Sequence, residues 1–297
     1  MIRFELLEPR DLSEACFLLA QYREKARILA GGQSLLPLIK HKKLMIDHLI
    51  NIKGLADLEY IVFQDGHIKI GALVTNRAIE LSSVIKEKCS MLAELERFVG
   101  DIQTRNWGTL VGNLCAASPT SDLAPALIAL RAQVKVRSVR GGREIPLEEF
   151  LNDYLKTVLD PDEIVTEIDV PELPPNSGAA YHKERVRMTD SPIASVAAMI
   201  SLDPNSDMVT SARIVLQAVG PIPFRAKEGE KRIIGEKFGE KILDEVASIT
   251  AVEANPISDI YGSLEYKREM VKVATKMVIT GAVKQAKSIS SKRGFSK

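Results

Sequence analysis

Two glycine-rich stretches of the sequence carry residue types that bind anions through the backbone. The first, ILAGGQSLLP at residues 28–37, places a glycine pair between a short apolar run and a serine. The second, at residues 104–130, contains Gly108, Gly112 and several hydroxyl side chains. Glycine lets backbone N–H groups come within hydrogen-bonding distance of a diphosphate. Together the stretches predict a diphosphate site, although each alone is also compatible with a turn or a structural loop.

Neither stretch matches the common nucleotide-binding motifs. The glycine pair lacks the spacing of Gly-x-Gly-x-x-Gly. The P-loop requires a lysine, and neither glycine-rich part contains one. A site built from these stretches would therefore hold its anion with backbone N–H groups and hydroxyls rather than with an ammonium group.

The composition argues against several other classes of function. The 40 Lys and Arg residues balance 39 Asp and Glu residues, which argues against general binding to nucleic acid or membrane surfaces. No apolar run approaches the ~18 residues of a membrane span, and charges interrupt the N-terminus where a signal peptide is apolar, so we expect a cytoplasmic protein. Cys16, Cys89, Cys115 and the four histidines lack metal-ligand spacing, so this chain alone predicts no metal site.

The pattern of apolar residues predicts an α+β fold in three parts. Residues 1–53 are expected to form a small α/β subdomain, with a helix from Ser34, as its N-cap, to about Lys43. Residues 54–176 add mainly antiparallel strands and a helix over 84–99. Residues 177–297 are expected to form an antiparallel sheet with attached helices.

The second glycine-rich stretch is predicted to be a long polar loop that ends in a helix. That helix would run from Leu123 to Leu130, with Ser121 or Asp122 as its cap. Long loops inside compact domains are usually functional, which favours a binding role for this one.

The two glycine-rich stretches, in this order, resemble those of the FAD-binding medium subunits of molybdenum hydroxylases. That family includes the flavoprotein subunits of carbon monoxide dehydrogenase and of bacterial xanthine dehydrogenases. LAGGQSLLPLIKHKKL is similar to the first FAD loop and TRNWGTLVGNLCAASPTSDLAPAL to the second. The similarity continues through DEIVTEIDVP, ARIVLQAVGPIPFRA and PISDIYGSLEYKREMVKV. It implies a two-part FAD-binding region over residues 1–176 and a C-terminal flavoprotein domain.

The resemblance assigns FAD contacts to individual residues. The first loop would wrap the diphosphate with Leu29, Ala30, Gly31, Gly32, Gln33, Ser34, Leu35 and Leu36. The second loop would line its other side with Thr109, Leu110, Val111, Gly112 and Asn113. Asp122 would accept a hydrogen bond from a cofactor hydroxyl, and Val165 would offer a backbone contact. No catalytic side chain and no metal ligand is implied.

Lys183 would lie near the pyrimidine end of the isoalloxazine, according to the same resemblance. An ammonium group there stabilises the negative charge that reduced flavin gathers near N1 and the C2 carbonyl, and so raises the reduction potential. The alternative for Lys183 is a surface lysine beside Glu184.

Two residues raise questions about the second loop. Val111 stands where the family has the first glycine of Gly-Gly-Asn, and a valine side chain disfavours a positive φ. Trp107 is the only tryptophan. We expect it to pack at the base of the loop, with a stacking role as the alternative.

The resemblance implies an electron-transfer subunit of a molybdenum-containing hydroxylase or dehydrogenase. Its partners would be a small [2Fe–2S] subunit and a large molybdenum-cofactor subunit, in a dimer of heterotrimers, with an external electron acceptor. Two other functions remain open. One is a self-sufficient flavin oxidoreductase with its own substrate pocket, for which His182 is the nearest candidate base. The other is a scaffold that keeps the fold without the cofactor.

Overall fold

In a computed structural model the chain is described over residues 3–187 and 190–294, with side chains to residue 288. The helices of this described part are α1 (Leu12–Tyr22), α2 (Leu35–Lys40), α3 (Asn76–Leu81), α4 (Ser83–Lys88), α5 (Ser90–Leu95), α6 (Ile102–Trp107), α7 (Leu110–Cys115), α8 (Leu123–Ala129), α9 (Leu147–Phe150), α10 (Lys227–Ile233), α11 (Glu240–Glu253) and α12 (Leu264–Gly294). Among the described residues no helix combines the length and the apolar composition that a bilayer span requires.

The strands of the same described part belong to four sheets. They are β1 (Glu5–Leu7), β2 (Ala26–Leu29), β3 (His48–Asn51), β4 (Ile61–Gln64), β5 (His67–Gly71), β6 (Gln133–Ser138), β7 (Gly141–Pro146), β8 (Leu151–Asp153), β9 (Lys156–Thr157), β10 (Ile164–Pro171), β11 (Ser177–Glu184), β12 (Ala194–Leu202), β13 (Val209–Gln217) and β14 (Phe224–Arg225). The mixture of helices with mainly antiparallel sheets confirms the predicted α+β class.

The chain folds into two compact units. The first consists of Met1–Ser118 and Ala132–Pro171, and the second of Pro119–Arg131 and Glu172–Lys297. The segment Pro119–Arg131, which contains α8, therefore packs with the C-terminal part of the chain, although the residues on both sides of it belong to the first unit.

The first unit contains a parallel and an antiparallel sheet. The parallel sheet has the strand order β1-β3-β2, and α1, which starts at the N-cap Asp11, packs against it. The antiparallel sheet has the order β4-β5-β10-β6-β7. Apolar side chains alternate along β5 and β6, as Ile68 and Ile70 do on β5, so one face forms the core while the other carries charged residues.

Two predictions for the first unit are wrong. The helix expected over 84–99 is broken at Cys89, whose φ of −151° and ψ of 68° are not helical. The segment 104–122, which was expected to be a loop, contains helical turns. Helix α6 extends into it as far as Trp107, and helix α7 lies within it. Both are six-residue helices with side-chain caps, from Asp101 and Thr109. Helices this short carry too little apolar periodicity to be recognised in a sequence.

The second unit is a four-stranded antiparallel sheet covered by helices on both faces. Its strand order is β11-β12-β13-β14. The central strand β12, ASVAAMISL, is buried along its whole length. Its even-numbered residues join the core formed with α10–α12, whereas α8 contacts β12 and β13. A strand covered on both faces reads as a continuous apolar run rather than an alternating one.

Gly178 allows α12 to lie close to β11. A Cβ atom added to Gly178 would lie 2.1 Å from the Ala282 carbonyl oxygen and 2.7 Å from the Ala286 nitrogen. Both are backbone atoms, which cannot move aside as a flexible side chain can. The glycine is thus required by helix–strand packing.

We expect Gly178→Ala to lower the free energy of unfolding by about 1–3 kcal/mol, because it overpacks this contact. Urea denaturation measures the effect. Gly54→Ala is the matched control, since no atom lies within 4 Å of its added Cβ, and it should change stability by less than about 0.5 kcal/mol. Equal midpoints for the two variants would contradict the close α12–β11 contact.

Candidate functional site

The first glycine-rich loop connects the end of β2 to the start of α2. Gly32 has a φ of +75°, in the left-handed region that side chains disfavour. Its carbonyl accepts a hydrogen bond from Leu36 N at 3.0 Å, which closes the first turn of the helix. Ser34 occupies the predicted N-cap position, but its hydroxyl makes no capping bond to a described residue. The prediction of the cap was wrong in this respect.

The amide N–H groups of residues 31–35 form a run of donors without acceptors among the described residues. In the part of the chain that the structure describes, none of these five groups donates to a protein acceptor. Gln33 and Ser34 are exposed, and the two glycines are half-buried. Successive free N–H groups on a glycine-containing turn bind an anion.

Gly31 brings the first loop against the second. A Cβ atom on Gly31 would lie 2.3 Å from the Trp107 carbonyl oxygen and 2.7 Å from the Gly108 Cα. The sequence predicted this glycine as a place for a ligand to approach. The structure shows a further reason, which is the close approach of two segments of the same chain.

The second loop residues form the first turns of α7. The Thr109 hydroxyl accepts from Gly112 N at 3.0 Å, and a Cβ on Gly112 would lie 2.9 Å from the same hydroxyl oxygen. Val111 is helical and buried, and it is not among the described residues with positive φ. The expected conflict between valine and a positive φ therefore does not arise.

Backbone hydrogen bonds fix the second loop to the segment after β5. Asn76 N donates to the Gly108 carbonyl at 2.9 Å, and Leu110 N donates to the Val74 carbonyl at 3.4 Å. The side chain of Asn76 is buried, and its Oδ1 has no hydrogen-bond partner among the described residues. Sequence reasoning missed Asn76, since nothing in its surroundings singles it out from other helix-starting asparagines.

Trp107 was expected to pack at the base of the loop, and this prediction is wrong. The residue is 58% exposed, and the Lys53 ammonium lies 4.2 Å from the centre of its ring. A cation over an aromatic face at this distance is a stabilising contact. The indole therefore lies at the surface beside the two loops.

Val165 lies on β10 next to an irregularity of the antiparallel sheet. It pairs with Val136, and the register shifts between Val165 and Glu167. Helix α7 contacts β10, so Val165 belongs to the strand on which the second loop packs. This is consistent with the backbone contact predicted for it but does not test it.

Asp122 and Lys183 form a buried ion pair within the second unit. Lys183 Nζ donates to Asp122 Oδ2 at 2.8 Å, and each residue is only 6% exposed. The alternative of a surface lysine beside Glu184 is thereby excluded. Asp122 precedes α8 but makes no capping bond to the described start of that helix, because its carboxylate turns to the sheet.

The other carboxylate oxygen of Asp122 accepts from Tyr181. The distance from the Tyr181 hydroxyl to Asp122 Oδ1 is 2.8 Å, and Ser195 Oγ lies 3.2 Å from the same hydroxyl. Since the phenol gives its one proton to the carboxylate, Ser195 is the donor in the second contact. Burial raises the pKa of Tyr181 well above its ordinary value, so the phenol stays protonated.

Burial also raises the pKa of the Asp122 carboxyl above its ordinary value. The ammonium of Lys183, which is the largest opposing influence, favours the ionised form. The carboxylate therefore depends on Lys183 for its charge in a place where water cannot solvate it.

The strand register explains why these side chains meet. Lys183 pairs with Ser195, and Ser195 pairs with Gln217, so the three form a row across β11, β12 and β13. Tyr181 lies two residues from Lys183 and so on the same face. Gln217 Nε2 donates to the Pro119 carbonyl at 2.5 Å, which fixes the start of the segment that carries Asp122.

The predicted residues thus fall into two sets. In the first unit, Gly31 meets the second loop at Trp107 and Gly108. In the second unit, Asp122 meets Lys183. Sequence reasoning missed Tyr181 and Ser195. The signal available for Tyr181 was its spacing of two from Lys183 within the region predicted to form an antiparallel sheet.

Comparison with known proteins identifies the family. A model described as the FAD binding domain in molybdopterin dehydrogenase matches residues 2–173, and one described as the CO dehydrogenase flavoprotein C-terminal domain matches residues 179–282. The chain belongs to the FAD-binding medium subunits of molybdenum hydroxylases. It is an oxidoreductase subunit with FAD as its cofactor.

Similar proteins span almost the whole chain. The glyceraldehyde dehydrogenase medium chain of Sulfolobus acidocaldarius is 35% identical, covering 92% of this chain and 95% of its own. The carbon monoxide dehydrogenase medium chain of Hydrogenophaga pseudoflava is 30% identical, covering 94% and 97%. A solved structure of carbon monoxide dehydrogenase from the latter organism has a TM-score of 0.92 at 29% identity, covering 96% of this chain and 99% of its own.

The residues of the first unit fit the diphosphate of an FAD. Five consecutive N–H donors without a protein acceptor in the described structure stand ready for phosphate oxygens, and no side chain intervenes at Gly31 or Gly32. The carboxylate and ammonium of the second unit are already satisfied by each other, so they would contribute mainly through their charge.

We expect Gly32→Val to yield folded protein that lacks FAD, because the side chain forces the loop out of its left-handed conformation at a cost of about 1–2 kcal/mol. Flavin content from visible absorbance and Trp107 fluorescence measure the loss. Gly66→Val is the matched control, with a φ of +77° at the native glycine and no atom within 4 Å of the added Cβ. Normal flavin content in Gly32→Val, or equal loss in both variants, would contradict the assignment.

Proposed function

We propose that this chain is the electron-transferring flavoprotein subunit of a cytoplasmic molybdenum-containing dehydrogenase. FAD held by the residues described below would supply the redox chemistry of the subunit, which is reversible two-electron reduction. The observation that carries the proposal is the run of five amide donors at residues 31–35, which have no protein acceptor in the described structure, in a chain whose family binds FAD.

The first unit would bind the diphosphate. Backbone N–H groups of the first loop would donate to its oxygens, with Leu29, Ala30, Leu35 and Leu36 as flanking apolar contacts. The second loop would contribute Thr109, Leu110, Val111, Gly112 and Asn113, and Val165 a backbone group. The contact between Gly31 and Trp107–Gly108 supports this assignment, because it makes the two loops one surface.

In the second unit we assign Lys183 to the pyrimidine end of the isoalloxazine and Asp122 to the same region. Lys183 is buried on a sheet face with its ammonium held by a carboxylate. A cation held in a low-dielectric place acts more strongly on a neighbouring charge than one in water does. Reduced flavin, which carries more negative charge than oxidised flavin, would be stabilised.

The partners would be a small [2Fe–2S] subunit and a large molybdenum-cofactor subunit, in a dimer of heterotrimers. Support comes from the relatives, which are named as medium chains or FAD subunits of dehydrogenases. Electrons would enter from the iron–sulfur subunit and leave to an acceptor such as NAD or a quinone.

A self-sufficient flavin oxidoreductase is less well supported. Its candidate base, His182, lies between Tyr181 and Lys183 on β11, and alternate residues of a strand face opposite sides of the sheet. His182 Nε2 instead contacts Glu184 Oε2 at 3.0 Å. The histidine is therefore directed away from the Asp122–Lys183 pair.

We expect Lys183→Met to lower the reduction potential of bound FAD, because it removes the positive charge beside the reduced ring. A tenfold fall in the ratio of reduced to oxidised flavin at fixed potential corresponds to about 30 mV for two electrons. The variant should also be less stable by about 3–5 kcal/mol, since it leaves Asp122 without its partner. Redox and urea titrations measure the two effects; an unchanged potential would remove Lys183 from the flavin site.

We expect the purified chain to contain about one FAD per chain yet to oxidise no heterocycle or aldehyde, because a flavin subunit of this kind would depend on electrons from partner clusters. Addition of a cluster-bearing small subunit and a molybdenum-bearing large subunit should restore substrate-dependent bleaching of the flavin. Turnover of such a substrate by the isolated chain would favour the self-sufficient oxidoreductase instead.

A further inference from the structure

We propose that Asp122 is the counter-ion of Lys183 and thereby sets the reduction potential of the bound flavin. This inference rests on the proposed position of Lys183 beside the isoalloxazine. It assigns Asp122 a role beyond accepting a hydrogen bond from a cofactor hydroxyl. The positive charge of Lys183 raises the reduction potential of the flavin. The negative charge of Asp122 keeps that potential below the value that an unpaired ammonium would give.

The geometry of the carboxylate supports this role. Oδ2 of Asp122 accepts from Lys183 Nζ at 2.8 Å, and Oδ1 accepts from the Tyr181 hydroxyl at 2.8 Å. Both oxygens therefore have donors from the protein itself. An aspartate whose main task was to bind a cofactor hydroxyl would need only one free oxygen and no buried cation.

Because the pair is buried, the negative charge of Asp122 can offset the positive charge of Lys183. Lys183 and Asp122 are each 6% exposed, so little water screens either charge. A flavin near the pair would therefore respond to the ammonium and the carboxylate together. Arg185 is a further cation whose charge acts on Asp122, so loss of the carboxylate would leave this region strongly positive.

Tyr181 and Ser195 act as positioning residues for the carboxylate. Tyr181 lies on the same strand face as Lys183 and donates to Asp122, and Ser195 lies 3.2 Å from the Tyr181 hydroxyl. Together with the Gln217 bond to the Pro119 carbonyl, these contacts hold the segment that carries Asp122 against the sheet. The carboxylate cannot turn away from Lys183 without breaking them.

The test is the reduction potential of FAD in Asp122→Asn, measured by redox titration with FAD in excess. Asparagine has the same shape, keeps an acceptor oxygen for a cofactor hydroxyl and removes the negative charge. We expect the ratio of reduced to oxidised flavin at fixed potential to rise about tenfold, equivalent to about 30 mV for two electrons. Lys183→Met should shift the ratio in the opposite direction.

Two controls separate charge from structure. Glu230→Gln removes another buried carboxylate of the second unit, which is paired with Arg225 and bonded to Ile214 N, and it should leave the potential unchanged. Tyr181→Phe removes a hydrogen bond but no charge, and it should shift the potential by less than half of the Asp122→Asn shift. A larger shift in either control would overturn the proposal.

The double variant Asp122→Asn/Lys183→Met covers the case in which Asp122→Asn does not fold, because it leaves neither member of the pair as an unpaired buried charge. The comparison is made above the pH at which Asp122 ionises in Lys183→Met, which is read from the pH dependence of that variant's potential, because burial without Lys183 raises the pKa of this carboxyl. There the potential of the double variant should exceed that of Lys183→Met. If Lys183→Met lowers the potential but Asp122→Asn raises it in neither background, the counter-ion role is wrong. If Lys183→Met itself has no effect, the proposed position of Lys183 fails instead.

Discussion

The buried pair of Asp122 and Lys183 is the interaction on which the organisation of the second unit depends. It joins the segment Pro119–Arg131 to the sheet through two residues that lie 61 positions apart in the chain. Arg213 reinforces the join by donating to the Ile128 carbonyl at 3.0 Å. Removing each ion from water costs roughly several kcal/mol. The attraction between the two ions offsets this cost only where their geometry is good.

Such a pair is a costly way to hold a helix on a sheet. Apolar side chains of similar volume would often stabilise the same contact as well or better. The sheet face beneath α8 has small residues such as Ala197 that would permit that solution. The presence of an ammonium and a carboxylate there is therefore better explained by their charge than by packing.

Two glycines of the first unit are required for different reasons, a close backbone contact and a positive φ. Gly31 is required because the first loop touches the backbone of Trp107 and Gly108. Gly32 is required because the chain turns there with a φ of +75°. These constraints come from the protein's own backbone. They leave the N–H groups of the loop free of protein acceptors in the described structure, which is the state an anion-binding loop needs.

Much of the fold could be predicted because long apolar patterns are visible in a sequence. The antiparallel strands expected within residues 54–176 and 177–297 have such patterns, and both ranges contain antiparallel sheets. The break at Cys89 and the helices α6 and α7 could not be predicted, since they depend on caps and local dihedral angles rather than on periodicity. Trp107 was misplaced because a large aromatic residue is usually buried, whereas here a cation from Lys53 covers one face of the ring.

The candidate site was predictable to a different degree in each unit. The two stretches around Gly31 and Gly112 can be recognised by composition, since each combines glycine with hydroxyl side chains. The structure adds that Gly31 and Gly32 also meet constraints of the protein's own backbone. Asp122 and Lys183 are sixty-one positions apart, and no pattern in a single sequence links them. Their meeting is decided by the register that aligns Lys183, Ser195 and Gln217. The charge that a flavin would experience is thus a property of the sheet, and it becomes visible only once the strands are paired.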